Sequence, residues 1–179
     1  PILDRTREVL SAARLPVVML PGNHDPLMAG SVWDRGTLGT IDNVHILGEK
    51  SHTVSFPGHE LDIWGRAHTD YDDINPLAGS PDRTSRWHIV AGHGHFTEER
   101  PADGKPAPSW LFTPDDIDAT GADYVALGHW NRKIQVGNGT VPAWYSGSPD
   151  YTATVNVVRL KPSGTVEVSH TAVEGAPSA

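Results

Sequence analysis

Cysteine is absent from the 179 residues, which excludes a disulfide scaffold and any thiolate metal site. A metal would have to be held by His, Asn, Asp or Glu. No apolar run reaches the length of a membrane-spanning helix and no signal-peptide pattern opens the chain, so no membrane association is expected. The missing cysteines fit a cytoplasmic location, which is the expectation. Basic residues are scarce too: 14 Lys and Arg face 22 Asp and Glu, a net charge of −8. That balance argues against a broad electrostatic grip on nucleic acid, which needs clustered cations. Metal ions or a partner subunit can still supply local positive charge. Apolar residues make up 37% of the chain, low but enough at this length for one domain with a core.

Histidine is plentiful, ten in all, and three fall in two Gly-His clusters. The chain is organised around Pro21-Gly22-Asn23-His24-Asp25. The preceding Val17-Val18-Met19-Leu20 is short, apolar and rich in β-branched residues, the pattern of a buried strand. Pro21-Gly22 ends it, because proline cannot continue a ladder and glycine accepts a turn. Asn23, His24 and Asp25 therefore sit at the carboxyl end of a strand, where open α/β sheets bind ligands. Two more apolar runs end alike: residues 87–91 lead into Gly92-His93-Gly94-His95, and 123–127 into Gly128-His129-Trp130-Asn131. If the three strands are neighbours in one sheet, the three polar clusters meet at one rim.

The remainder fills in an α/β fold. An amphipathic helix is expected over Asp4–Arg14, with Val9, Leu10 and Ala13 at helical spacing, then a strand over Leu15–Leu20. Residues 26–43 read as a loop with a helical turn, and Val44–Leu47 as a strand. Ser51–Phe56 and Leu61–Trp64 flank Pro57-Gly58 as a hairpin. Gly65–Arg86, with Asp70, Asp72 and Asp73, and residues 97–112 read as exposed loops. Thr113-Pro114 marks a helix start, threonine as N-cap and proline at the first helical position. Ile134–Val136, Val141–Ser146, Thr154–Leu160 and Val166–Val173 alternate like antiparallel strands of a second sheet. Residues 1–173 are read as one domain and 174–179 as a frayed tail. A βαβ architecture places a strand before its first helix; here a helix comes first, so the domain is expected to lack an initial portion.

Imidazole, amide and carboxylate donors without sulfur suit divalent ions such as Mn, Fe or Zn. At a sheet rim such an ion turns water into a nucleophile, and two ions clamp both oxygens of a phosphoryl transfer. A neutral amide such as Asn23 leaves the site more positive than a carboxylate would, which favours an anionic substrate. His24, next in sequence, would stand beside the metal, placed to protonate a leaving alkoxide. Asp25 would accept a hydrogen bond from its other ring nitrogen.

Gly22-Asn23-His24-Asp25 resembles the GNHD signature of the calcineurin-like metallophosphoesterases. The run Asp123-Tyr124-Val125-Ala126-Leu127-Gly128-His129, followed by Tyr145-Ser146-Gly147-Ser148-Pro149, is similar to that family's nuclease branch, the SbcD-like DNA repair exonucleases. The resemblance extends over most of the chain, from Val17 to Leu160. It implies a two-sheet α/β sandwich lacking its first β-α-β portion, and two divalent ions, manganese first, iron or zinc otherwise. It implies Asn23, His93 and His129 as ligands of one ion and His24 with Asp25 as the catalytic pair. It further implies a phosphodiester substrate, DNA included, and a partner ATPase. Two departures stand out. The family's Asp-x-His and Gly-Asp motifs, which precede GNHD, are missing, and the second histidine of its terminal Gly-His-x-His is Asn131 here. Asn131 is as readily structural as metal-binding. Gly92-His93-Gly94-His95 also spells Gly-His-x-His, but the family's Gly-Ser-Pro segment follows His129. His93 is therefore read as a single middle ligand and His95 as an outer neighbour facing solvent.

The function expected is metal-dependent phosphodiester hydrolysis of the exonuclease type. Two alternatives stay open. One is hydrolysis of small phosphoesters, favoured by the acidic net charge. The other is a binding protein on a catalytically impaired scaffold, favoured by Asn131 and the missing motifs. Plainer readings compete at single residues. Asn23-His24-Asp25 could be an ordinary turn. His68 could belong to a solvated acidic loop with Asp70, Asp72 and Asp73 rather than to a second metal site, and His45, His52, His59, His88 and His170 read as surface or half-buried. Trp130 and Trp144 would pack in the core before stacking a base, and Arg132 and Lys133 could touch phosphate or merely solvate a strand end.

Overall fold

The structure is a computed structural model that describes residues 2–102 and 108–175. In chain order the elements are α1 (Ile2–Ala12), β1 (Val17–Met19), α2 (Val32–Gly36), β2 (Val44–Ile46), β3 (Thr53–Phe56), β4 (Leu61–Gly65), β5 (Trp87–His93), β6 (His95–Phe96), β7 (Leu111–Phe112), α3 (Pro114–Ala119), β8 (Tyr124–Gly128), β9 (Ile134–Val136), β10 (Ala143–Tyr145), α4 (Pro149–Thr152), β11 (Thr154–Leu160) and β12 (Val166–Ala172). This is the mixed α/β class expected.

The main sheet has six strands in the order β3-β4-β5-β8-β10-β9. Its middle is parallel (β4, β5, β8, β10) and both edge strands, β3 and β9, are antiparallel. Parallel strands are covered on both faces, so they read as near-continuous apolar runs; Val90 in β5 and Val125 in β8 are fully buried. The β3–β4 hairpin turns at Pro57-Gly58 as the sequence predicts. Thr113 caps α3 through a reciprocal capping box with Asp116, and Pro114 fills the first turn.

Three expectations are corrected. Residues 134–136 and 141–146 do not join 154–160 and 166–173 in a second antiparallel sheet. β9 and β10 close the main sheet, β10 running parallel to β8, while among the described residues β11 and β12 pair only with each other. Alternation reports which face of a strand is buried; it carries no information on the partner. Secondly, β1 is not in the main sheet. It pairs parallel with β2 in a separate two-stranded unit. Thirdly, residues 97–112 are not all exposed loop: β7 pairs with β6 and Phe112 is fully buried. The opening helix spans Ile2–Ala12 rather than Asp4–Arg14, and Val9 is 54% exposed. Of the expected frayed tail, residues 174–175 form a turn and 176–179 lie outside the described residues.

Two apolar clusters result among the described residues. The larger packs the main sheet through Trp64, Val90, Phe112, Ile117, Val125 and Tyr145. The smaller holds the β1–β2 unit through Trp33, Leu38, Ile41, Val44 and Ile46. Among the described residues no helix is long and apolar enough to cross a membrane.

Candidate functional site

The three polar clusters converge although one of their strands, β1, lies outside the sheet that holds β5 and β8. The Oδ1 of Asn23, which is 9% exposed, accepts a 2.8 Å hydrogen bond from Nε2 of His93. His93 ends β5 opposite Gly128 of β8, so the next residue, His129, is brought beside it. The two imidazoles meet edge to face, centroids 5.5 Å apart at 73°. His129 takes a φ of 108°, a left-handed backbone that costs a branched-free glycine little and a histidine much.

Two glycines make the seat for His93. A Cβ on Gly22 would stand 2.6 Å from the ring's Cε1, and one on Gly128 would stand 2.8 Å from its Nδ1. Only a residue with no side chain allows either backbone so close to the ring. The glycines before Asn23 and before His129 are therefore steric requirements of the His93 position, beyond their role in turning the chain.

Burial, then the charges of His129, His68 and His24, push the His93 pKa down to about 4. Burial first lowers those of His129 and His95 as well. These rings are held neutral at physiological pH, the form in which imidazole binds metals. Asp25 is shifted the other way: burial raises its pKa, opposed by the Gly22 amide, which donates to its Oδ1 at 3.0 Å. Among the described residues no hydrogen bond joins Asp25 to His24. Asp25 instead folds the loop back on itself and, through its carbonyl, receives the indole N–H of Trp33 at 2.6 Å. His24 is exposed at the rim.

Sequence reasoning missed His68. It belongs to no solvated loop: it is 1% exposed and turned away from Asp70, Asp72 and Asp73, which are exposed. Its ring Nε2 donates to the carbonyl of His93 at 2.8 Å, its amide donates to Pro21 O, and its carbonyl accepts from Leu27 N. One residue thus ties the Asn23 loop to the end of β5. The signal was present, a histidine just past strand β4, but the acidic run after it masked it. Trp110 was missed as well. At a φ of 60° it sets its ring against those of His68 and His129, with centroids 5.3 and 6.1 Å away, and Asp73 holds its amide.

His95 does not simply face solvent. Half-buried, it lies edge-on to His129 and accepts the Trp130 indole N–H on Nδ1 at 3.2 Å. His88, expected at or near the surface, is buried at 2% with its Nε2 3.2 Å from Ser80 Oγ, because it lies on an inward position of β5. The Tyr145 hydroxyl donates to Gly94 O at 2.7 Å and accepts from Phe96 N at 3.1 Å, fixing the turn between His93 and His95. Asn131 is exposed and lines a cavity of about 560 Å³ with His95, His129 and Arg132.

Among the described residues no group of three or more His, Asp or Glu is gathered as a metal-binding cluster. The donors that do gather are an amide and two imidazoles. Donor atoms on adjacent corners of one ion, each about 2.1 Å from it, stand about 3.0 Å apart. The 2.8 Å between Asn23 Oδ1 and His93 Nε2 fits that spacing, with the proton of Nε2 in the ion's place.

No family model matches the chain, and no curated protein matches it. A solved crystal structure superposes on 93% of the chain, and on 70% of its own, with a TM-score of 0.61 at 16% sequence identity. At that identity the likeness is one of fold alone.

Proposed function

We propose that this chain carries the site of a metal-dependent phosphodiesterase related to the calcineurin-like metallophosphoesterases, and to their DNA exonuclease branch in particular. The finer fold assignment, a two-sheet α/β sandwich of that type, belongs to the same proposal. The observation that carries it is the seat of His93: a neutral ring between Gly22 and Gly128, hydrogen-bonded to Asn23 and beside His129. A core histidine satisfied by a backbone carbonyl would need no such convergence of three strand ends.

Asn23, His93 and His129 would hold one divalent ion, manganese, iron or zinc. The ion supplies Lewis-acid polarisation of a phosphoryl oxygen when bound. A second ion, as the resemblance implies, would have Asn131 as its candidate donor at the cavity edge. The chain's own residues do the rest. His68 fixes the carbonyl of His93 and so the ring's height above the sheet. Trp110 sets its ring edge-on to His129, and Trp130 lies edge-on to His95 on the neighbouring side. His24, exposed beside Asn23, delivers a proton to the leaving oxygen. Asp25 positions His24 by shaping the loop rather than by bonding its ring. A partner ATPase remains an implication of the resemblance.

Calorimetric titration with Mn²⁺ and hydrolysis of bis(p-nitrophenyl) phosphate test the reading. His129→Ala should abolish the metal heat. His24→Ala should keep it and lower turnover by about 10²–10⁴. Metal binding with no turnover, unrestored by Asn131→His, would favour the binding-protein alternative; no metal binding at all refutes the proposal.

A further inference from the structure

Among the described residues five other than glycine hold a left-handed φ. Three of them close short helices: Thr37 ends α2, Glu60 ends the turn Pro57–His59, and Ala153 ends α4. That is an ordinary way to stop a helix. Trp110 and His129 end no helix, and their rings meet at 74°, centroids 6.1 Å apart. For a side chain as bulky as an indole this backbone is an outlier. Such strain persists only where the surroundings over-determine it.

At Trp110 they do. Its amide donates to Oδ1 of Asp73, its indole N–H donates to the carbonyl of Asp72 at 3.0 Å, and its own carbonyl accepts from the His95 amide at 2.9 Å. Gly94 makes room for that carbonyl, since a Cβ there would collide with it. Every polar group of Trp110 is thus engaged. The ring these bonds hold stands against His68 as well, centroids 5.3 Å apart at 75°. Two of the three bonds come from one exposed loop, residues 70–73. Within it the carboxylates divide their tasks: Asp70 turns back to accept the Asp72 amide at 2.9 Å, and Asp73 reaches across to Trp110.

We infer that Asp73 is a positioning residue of the candidate site. By holding the Trp110 amide it keeps the indole where that ring confines the imidazole of His129, and so fixes the direction in which the imidazole meets an ion. Asp73 itself touches neither ion nor substrate. Its charge is not what the task requires, because the group it accepts from is a neutral amide; an acceptor oxygen of the same reach serves as well. The bearing on metal binding rests on the phosphodiesterase reading, whereas the placement of the ring does not.

Histidine ring resonances of the full chain in EDTA, together with calorimetric titration by Mn²⁺, test it. Asp73→Ala should displace the ring signals of His129 and His68, which lie against the indole, and leave those of His59 and His170 in place. It should weaken Mn²⁺ binding about tenfold or more, as loss of a ligand's outer support does. Asp73→Asn keeps the acceptor oxygen and should return both readouts to the parent's values. Asp70→Asn, which removes a charge from the same loop, should change neither. In a Trp110→Leu background Asp73→Ala should add nothing to the loss of Mn²⁺ affinity, because the route is already cut. Asp73 is exposed, so its variants keep the fold. Unmoved His129 signals in Asp73→Ala overturn the inference. Asp73→Asn behaving like Asp73→Ala overturns it too, since the effect would then be one of charge, and so does an Asp73→Ala effect that persists undiminished without the indole. An unsubstituted chain that takes up no Mn²⁺ refutes the phosphodiesterase reading instead, and the spectra in EDTA still decide whether Asp73 places the ring.

Discussion

Replacing Gly22 by alanine puts a methyl group where the His93 ring already stands. The added carbon would lie 2.6 Å from Cε1 and 2.8 Å from both ring nitrogens. Ordinary carbon contacts begin at about 3.5 Å, so the ring must retreat by about 1 Å. It has little room on its Nδ1 side, where Gly128 abuts it. A retreat of that size stretches the 2.8 Å bond to Asn23 beyond hydrogen-bonding range. Overpacking of this kind costs about 1–3 kcal/mol and the lost bond about 1 more. A chain of this length should then melt about 5–10 °C lower. Affinity for Mn²⁺ should fall by about 10–100-fold, the usual result of displacing a ligand or its support. Backbone strain is not the cause, because Gly22 has no left-handed φ. Gly58→Ala is the control: no atom lies within 4 Å of the position its Cβ would take, and its φ is ordinary. Differential scanning calorimetry with and without Mn²⁺ reads both effects. A Gly22→Ala protein that melts within about 1 °C of the parent and binds Mn²⁺ equally well would refute the steric seat and the ligand assignment built on it.

Acid should destabilise the metal-free chain through its buried histidines. His93 titrates at about 4 in the fold and near 6.5 when unfolded, so below pH 6.5 the unfolded chain takes up the proton first. Its contribution is complete above pH 6.5 and falls away toward pH 4, by about 3 kcal/mol at most. His129, His95 and His88, also lowered, act in the same sense, and Asp25, raised by burial, opposes them only in the carboxylate range. Urea unfolding in EDTA at pH 7.5 and pH 4.5 reads the difference, and equal stabilities would contradict it. His68→Phe should cost about 1–3 kcal/mol by leaving the His93 carbonyl unpaired. Part of that is offset because the buried Nδ1 of His68, which has no hydrogen-bond partner among the described residues, goes too. The same variant should weaken Mn²⁺ binding without touching a ligand; unaltered binding would remove His68 from the site.

The strand ends were legible because their signals are local. A β-branched run stopped by Pro-Gly or Gly-His announces itself within six residues, and Asn23, His93 and His129 were found that way. The hairpin at Pro57-Gly58 and the cap at Thr113 were legible for the same reason. What failed was pairing. Nothing in Val141–Ser146 says that it lies parallel to β8 rather than antiparallel to β11, since both partners leave the same alternation. His68 failed differently. Its burial is set by a carbonyl 25 residues away, and the acidic run after it gave the local impression of a surface. Trp110 carried no pattern at all, being one aromatic in a stretch of prolines and charges.

The residues proposed to hold the ion are drawn from two bodies. Asn23 hangs from the β1–β2 unit with its own small apolar cluster, and His93 and His129 hang from the main sheet. Such a pair of units can open one from the other without global unfolding. An ion shared by both would act as a clasp, adding about 2.7 kcal/mol against that opening at a hundredfold excess over Kd. Amide exchange at Val17, Val44 and Leu47 would then slow in Mn²⁺ while Val90 and Val125, deep in the main sheet, would exchange at their old rate. In that sense the metal would complete the domain as well as the chemistry, and its supply would govern how firmly the first third of the chain stays docked.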